Sequence, residues 1–138
     1  MIAKLNHANI LVLDQEKAFD VYVNILGFKV HTDETMEGGL RWLTVTAPGN
    51  PELELILAEP KPPMFESEDA ALLRKLLERG ALGAGVWQCD DCRATYKELK
   101  AKGIEFTKEP TEEFYGIEAV FKDGCGNWFS LTQPSKRQ

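Results

Sequence analysis

Two sets of side chains have types and spacings that could support chemistry. Glu54 interrupts the apolar run from Leu53 to Leu57, where a carboxylate is costly to bury unless it is paired. His7 lies in a strand-like segment, and an imidazole beside such a carboxylate can shuttle protons. The plain alternative for His7 is a strand histidine that is hydrogen-bonded in a pocket. We take His7 and Glu54 as the candidate catalytic residues, and we set aside His31 because it is predicted on another strand.

Cys89 and Cys92 form the second set, with the CxxC spacing of redox motifs and zinc sites. They lie where a predicted strand passes into a helix, and a helix dipole at such a place can lower a thiol pKa. The sequence has no second CxxC, so a four-ligand zinc site would need Cys125 and a distant histidine. Strand alternation puts Trp87 and Cys89 on the side of the helix, and we interpret the pair as ordinary core.

The elements that must position these residues come from a sequence repeat. Asp14 and Gly27 enclose a helical stretch, as do Asp90 and Gly103. The two aspartates are 76 positions apart in the sequence, and so are the two glycines. Aspartate before a helix accepts hydrogen bonds from the first N–H groups, and glycine after the last turn adopts a left-handed conformation at low cost. Three strand candidates follow each helix, so each unit has a βαβββ order. We predict a single domain over 1–138, with unit 1 at 4–59, a linker helix at 60–81 and unit 2 at 82–133.

The strands of both units are predicted from apolar runs that end at turn residues. They are Leu5 to Leu13, Phe28 to Thr32, Leu40 to Ala47 and Glu52 to Ala58 in unit 1, and Val86 to Cys89, Ile104 to Lys108, Ile117 to Lys122 and Trp128 to Thr132 in unit 2. Alternation along the last strand of each unit assigns one face to the helix and leaves the other for a cavity. In the linker, Ser67 to Arg79 is predicted to be helical. Its leucine stripe, interpreted as packing, comprises Leu72, Leu73, Leu76 and Leu77.

Composition argues against several classes of function. The 138 residues carry a net charge of −6, and the 16 basic residues are scattered, whereas a nucleic-acid surface needs a clustered positive field. The uncharged stretch from Ala81 to Cys89 is too short for a membrane helix, and Met1 to Leu13 lacks the layout of a signal peptide. Three cysteines are too few for a disulfide scaffold. We therefore expect a cytoplasmic protein with no nucleic-acid or membrane partner.

A longer motif gives a resemblance to a known family. It consists of Asp14, Ala18, Tyr22, Leu26, Gly27 and Phe28, preceded by the strand of His7 and followed by a second unit that ends in Asp123-x-x-Gly126-Asn127. This order resembles the vicinal oxygen chelate superfamily, which includes glyoxalase I, bleomycin resistance proteins and extradiol dioxygenases. The resemblance implies an α+β fold in which two βαβββ units curve a mixed sheet into half-barrels. It also implies a homodimer that holds a small-molecule ligand in the funnel of the sheets.

The same resemblance implies four metal ligands, one on the first and one on the last strand of each unit. His7 and Glu54 match the two positions in unit 1. In unit 2 the first position falls on Ala84, or on Gly83 if the repeat offset is applied literally, and the second falls on Ser130. Because those residues cannot complete the set, we expect no firm cofactor and at most a weakly held divalent metal ion on His7 and Glu54.

Further side chains are expected to line the funnel. Aromatic rings there favour a planar or apolar molecule, and nearby polar groups orient it. The predicted ligand-binding residues are Asn9, Trp42, Thr44, Gln88, Tyr115, Glu118, Trp128 and Ser130. Tryptophans that instead plug the funnel, or cover a dimer contact, are the alternative.

Three functions stay open on the sequence. The first is small-molecule binding in the funnel with lyase or isomerase chemistry at His7 and Glu54. The second is a metal-free, antibiotic-like binding or resistance protein, which the missing unit 2 ligands favour. The third is a metal-dependent lyase or extradiol-type dioxygenase with atypical ligands. The residues alone leave enzyme and binding protein both open.

Overall fold

The fold is described from a computed structural model, which covers residues 1–136. Its strands are β1 His7–Leu11, β2 Lys29–Thr35, β3 Arg41–Ala47, β4 Asn50–Ala58, β5 Leu82–Gln88, β6 Glu105–Glu113, β7 Gly116–Lys122 and β8 Asn127–Pro134. Its helices are α1 Gln15–Phe19, which continues as a π-helical turn over Asp20–Ile25, α2 Ser67–Glu78 and α3 Cys92–Ala101. No helix in the described part of the chain is long and apolar enough to cross a membrane.

The eight strands form two separate sheets, one in each unit. The strand orders are β1-β4-β3-β2 and β5-β8-β7-β6. In each sheet the first strand runs parallel to the last, and the remaining pairs are antiparallel. The predicted α+β class of two βαβββ units is confirmed, and neither sheet closes into a barrel within residues 1–136.

Helix α1 begins and ends where the sequence predicts. The Asp14 carboxylate accepts hydrogen bonds from the N–H groups of Glu16, at 2.8 Å, and Lys17, at 3.3 Å. Gly27 follows the π-helical turn with φ of +78°, a conformation that glycine adopts readily. The predicted cap of the second helix, Asp90, is wrong by one residue.

The residue that caps α3 is Asp91, whose carboxylate accepts from the N–H of Ala94 at 3.0 Å. Strand β5 carries a register shift between Gly83 and Gly85, which leaves Ala84 as an extra residue in the strand. The residues from the bulge to the cap are therefore displaced by one position relative to unit 1, whereas Gly103, after the helix, keeps the offset of 76 from Gly27.

The linker helix packs through a narrower stripe than expected. Leu77 is 1% exposed and lies against Gly126, and Ala70 is also buried. Leu72 and Leu76, by contrast, are 58% and 37% exposed. The interpretation of the whole leucine stripe as packing is thus wrong for these two residues, which lie on the outer side of α2.

The helix-facing sides of both sheets contribute to one hydrophobic core. Leu43 and Leu57 of unit 1 and Phe129 of unit 2 are almost completely buried in the same cluster. Aromatic contacts join the units, since the ring of Trp87 lies 5.2 Å from that of Phe28 and 5.3 Å from that of Phe129. The two repeats therefore bury their apolar faces together.

A buried polar contact also joins the units. It connects Tyr22 and Asp123, two residues of the sequence motif that lie far apart in the chain. Tyr22 donates its hydroxyl hydrogen to Asp123 Oδ2 at 2.7 Å, and both residues are buried. Burial, together with the Asp123 carboxylate, raises the pKa of Tyr22 well above its ordinary value, so the hydroxyl remains a donor. Asp123 also accepts from the backbone N–H groups of Cys125 and Asn127 and from the Asn127 side chain. The Asn127 amide in turn donates to the carbonyl of Leu11 at 2.8 Å.

Replacing Tyr22 with phenylalanine should lower the free energy of unfolding by about 2 kcal/mol, because one oxygen of a buried carboxylate loses a donor. Urea denaturation followed by circular dichroism measures the change. Tyr96→Phe is the matched control, since the Tyr96 hydroxyl only accepts an exposed contact from Lys100 at 3.2 Å. Equal stability of the two variants would contradict the structural role given to the Tyr22–Asp123 contact.

Candidate functional site

The sheet of unit 1 has a polar face on the side away from the core. His7 lies opposite Glu54 across the β1–β4 ladder, and Asn9 and Thr44 both lie opposite Ile56. The residues that alternate with these, such as Leu55, are buried in the core. Because side chains alternate along a strand, His7, Asn9, Thr44 and Glu54 share this outer face.

Glu54 is the centre of a hydrogen-bonded cluster on that face. Its Oε2 atom lies 3.0 Å from His7 Nε2, and its Oε1 atom lies 3.0 Å from His31 Nδ1. The Thr44 hydroxyl also donates to Oε1, at 2.9 Å. The Glu54 side chain is 18% exposed, whereas the two imidazoles are 43% and 53% exposed. The carboxylate is thus shielded while both rings remain accessible to a ligand.

His31 is the residue that sequence reasoning missed, and setting it aside was wrong. The β2–β3 register shifts between Val30 and Thr32, so His31 is an extra residue in the edge strand. A bulge re-aims the side chains beside it, and here His31 Nδ1 lies 3.0 Å from Thr32 Oγ1 as well as near Glu54. Simple alternation gives no sign of such a bulge.

The sheet of unit 2 carries a different polar cluster, centred on Glu118 of β7. Its carboxylate accepts hydrogen bonds from Lys108 Nζ at 2.8 Å, from the Tyr115 hydroxyl at 2.5 Å and from the Ser130 hydroxyl at 2.5 Å. Ser130 Oγ also lies 2.9 Å from Thr132 Oγ1. Partial burial works against the charge of Glu118, but the donors outweigh it and lower the carboxyl pKa to about 2.

The end of the parallel ladder shows which positions of the two units correspond. In unit 1, β1 leaves its ladder where the N–H of Val12 donates to the carbonyl of Ala58. In unit 2, β5 leaves where the N–H of Cys89 donates to the carbonyl of Thr132. Counting back from these matched ends, with Ala84 allowed for as the extra residue, aligns the two ladders pair by pair.

This alignment corrects the predicted ligand positions of unit 2. The pair of His7 opposite Glu54 corresponds to Gly83 opposite Trp128. Applying the repeat offset literally therefore gave the right residue, Gly83, for the first ligand position of unit 2. The assignment of the second ligand position to Ser130 was wrong, because that position holds Trp128. The shift arises because the repeat spacing differs between the first and the last strand of the units.

The donor set does not fit the four-ligand metal centre that the resemblance implied. Glycine and an indole offer no ligand to a divalent ion at the unit 2 positions. In unit 1 the two imidazoles approach different oxygens of Glu54. Within residues 1–136, no three or more His, Cys, Asp or Glu side chains are grouped so as to hold a metal ion.

The predicted ligand-binding residues divide between the two sheets. Asn9, Trp42 and Thr44 are on strands of unit 1, and Gln88, Trp128 and Ser130 are on strands of unit 2. Tyr115 lies between β6 and β7, next to Phe114, which is 95% exposed. No hydrogen bond or ion pair joins the Glu54 cluster to the Glu118 cluster in the described residues.

The CxxC pair has no sign of a reactive thiol. Cys92 is buried and its thiol lies 3.6 Å from the carbonyl of Leu131. Burial raises the pKa of Cys89 to about 11 and also raises the pKa of Cys92, so the lowering considered from the helix dipole is wrong. Both cysteines are unbridged.

Comparisons with known proteins agree with this architecture. The family model of the Glyoxalase/Bleomycin resistance protein/Dioxygenase superfamily matches residues 4–131. The uncharacterized protein YurT of Bacillus subtilis (strain 168) is 34% identical over 130 residues, which are 94% of this chain and 98% of YurT. The crystal structure of UcmS2 is 44% identical, with a TM-score of 0.89, over 96% of this chain and 98% of that chain. The crystal structure of TnmS3, an antibiotic binding protein from Streptomyces sp. CB03234, is 30% identical, with a TM-score of 0.75, over 97% and 98% of the two chains.

Replacing Glu118 with glutamine should lower the free energy of unfolding at neutral pH by about 2 kcal/mol, because a charged acceptor of three hydrogen bonds is removed. A carboxyl whose pKa falls on folding stabilises the protein above its ordinary pKa of 4.5, and that contribution disappears as the pH falls to about 2. The stabilities of wild type and variant should therefore converge in acid, as urea denaturation across this range would measure. Glu112→Gln is the control, since Glu112 is 81% exposed and its nearest cation is 3.9 Å away. A difference that does not change with pH would contradict the assignment.

Proposed function

We propose that this chain, which belongs to the Glyoxalase/Bleomycin resistance protein/Dioxygenase superfamily, binds a small organic molecule on the polar faces of its sheets. The observation that carries the proposal is the Glu54 cluster. A shielded carboxylate orients two half-exposed imidazoles, His7 and His31, on a sheet face that points away from the core. The superfamily includes small-molecule binders, and TnmS3 binds an antibiotic.

The Glu54 cluster can recognise polar groups without a metal ion. A ring nitrogen of His7 and one of His31 contact Glu54, which leaves the other nitrogen of each half-exposed ring outside that contact. These nitrogens can donate or accept hydrogen bonds, according to the proton that each carries. Fixed polar groups beside an apolar surface are typical of small-molecule sites. The mismatch of Gly83 and Trp128 with metal ligands supports a site that works by direct contact.

The proposal includes a homodimer. In the proposed dimer the Glu54 and Glu118 clusters would each form half of a cavity lining, because a second copy would place the unit 2 face of one chain against the unit 1 face of its partner. Exposed apolar side chains support such an interface, since Ile2, Leu5 and Val86 are 96%, 69% and 68% exposed. Val86 lies on β5, an edge strand without a charged residue, and such an edge favours association.

A second function, proton transfer in a lyase or isomerase reaction, is favoured by one distance. His7 Nε2 and Glu54 Oε2 are 3.0 Å apart, and a carboxylate that holds an imidazole in this way orients it as a general base. This function needs the same ligand to bind first. Loss of a bound substrate over time, measured by mass spectrometry, would separate it from simple binding.

Binding is tested with purified protein dialysed against EDTA and a panel of organic antibiotics that includes metal-free bleomycin. At least one antibiotic of the panel should raise the melting temperature of the protein, because a ligand that binds only the native state stabilises that state. Glu54→Gln should weaken the binding of this antibiotic about tenfold, which corresponds to about 1.4 kcal/mol. Glu52→Gln is the control on the same strand, since the Glu52 side chain is 76% exposed and its ion pair is with the exposed Lys4. Binding that requires an added metal ion, or that survives Glu54→Gln, would contradict the proposal.

The homodimer is tested by light scattering after size-exclusion chromatography. The mass expected is twice the 15.5 kDa of one chain. Val86→Lys should shift the protein toward a monomer, because it places a charge on an apolar edge strand. Thr107→Lys, on an edge strand of the same sheet, is the control. A wild-type protein that is monomeric at micromolar concentration would remove the dimer from the proposal.

A further inference from the structure

The pair of Gly83 and Trp128 is built around an unusually close approach. A Cβ atom placed on Gly83 would lie 2.4 Å from Cζ2 of Trp128 and 2.8 Å from both Cε2 and Cη2. The backbone of Gly83 does not have a positive φ, so its conformation is open to other residues. Glycine is needed at this position because the indole lies directly on the backbone.

This arrangement replaces the polar pair of unit 1 by a flat apolar surface. Gly83 and Trp128 occupy the ladder positions that correspond to His7 and Glu54. The Trp128 side chain lies on the same sheet face as Ser130, since residues two apart on a strand point the same way. The two units thus present a polar pair, His7 and Glu54, on one sheet and the flat aromatic ring of Trp128 at the equivalent place on the other.

The Trp128 ring has an exposed side and space beside it. Trp128 is 41% exposed although part of its ring covers Gly83. It also borders a cleft of about 250 Å³, whose lining includes Leu13, Leu77 and Lys122. A large ring that lies on the backbone with one face and is open on the other offers contact area to a ligand with little loss of side-chain conformational entropy.

We propose that Trp128, held flat on Gly83, is the stacking platform for a planar aromatic ring of the ligand. The inference rests on the proposed function and adds the class of ligand, namely a flat aromatic compound. Stacking on an indole face selects planar over puckered rings of equal size, because only a planar ring keeps all its atoms in contact. The polar groups of such a ligand would be held by the clusters already described.

The probes are acridine, which is planar, and perhydroanthracen-9-ol, whose three fused rings of the same size are saturated and puckered and which, like acridine, is largely uncharged at neutral pH. Calorimetric titration of the full-length protein should show acridine binding at least tenfold more tightly than perhydroanthracen-9-ol. Trp128→Leu should remove this preference, and Trp128→Phe should keep part of it. Gly83→Ala should weaken acridine binding about tenfold although the tryptophan residue is retained, because the new Cβ would push the indole off the backbone. Gly49→Ala is the control, since its Cβ would meet nothing within 4 Å.

The outcomes separate this inference from the function on which it rests. Equal acridine affinity in wild type and Trp128→Leu, or equal affinity for both probes, would overturn the platform, while an antibiotic that still depends on Glu54 would keep the proposed function. A Trp128→Leu variant that changes the oligomeric mass without changing acridine affinity would show that the indole contacts a second copy of the chain. That result would also overturn the stacking role of Trp128. If Trp128→Leu fails to fold by circular dichroism, Trp128→Phe and Gly83→Ala decide the question.

Discussion

A buried carboxylate, Asp123, is the constraint on which the arrangement of the two units depends. Its oxygens accept hydrogen bonds from Tyr22 of the first helix and from the turn that contains Cys125 and Asn127. A buried charge is tolerated only when it is fully paired, so the helix of unit 1 and the turn of unit 2 are held in one relative position. Around this contact the apolar faces of both sheets share a core, and the polar faces lie on the side away from it.

The two units have the same topology but different chemistry. In unit 1 the first and last strands bring His7 and Glu54 together, and a bulge adds His31. In unit 2 the equivalent positions hold Gly83 and Trp128, which contact each other closely. The two frameworks are thus equivalent, but one pair of positions is polar in unit 1 and holds a glycine and an aromatic residue in unit 2. This difference leaves the implied four-ligand metal set incomplete, and it supports the proposal of direct contact with an organic ligand.

The two carboxylate clusters differ in how far their hydrogen bonds are satisfied within the chain. Glu118 has three donors from its own chain, which hold its pKa at about 2, so its charge is largely satisfied within the sheet. Around Glu54, by contrast, two of the three partners are imidazoles that are themselves about half exposed, and the third is the buried Thr44 hydroxyl. The first cluster fixes the surface of unit 2, and the second presents polar atoms to solvent. A ligand would therefore displace water chiefly from the two histidines and from the open side of Trp128.

The repeat, the helix caps at Asp14 and Gly27, and the alternation that puts Glu54 on the face away from the core can be read from the amino-acid sequence, because these are short-range properties of the chain. The resemblance also put His7 and Glu54 on the first and the last strand of unit 1. The folded chain was needed to show that His31 joins them, that Asp91 caps α3 and that Trp128 stands in the place given to Ser130. Each of these depends on a bulge or on the pairing register between distant strands, and a register is set by the partner strand and not by the local residues.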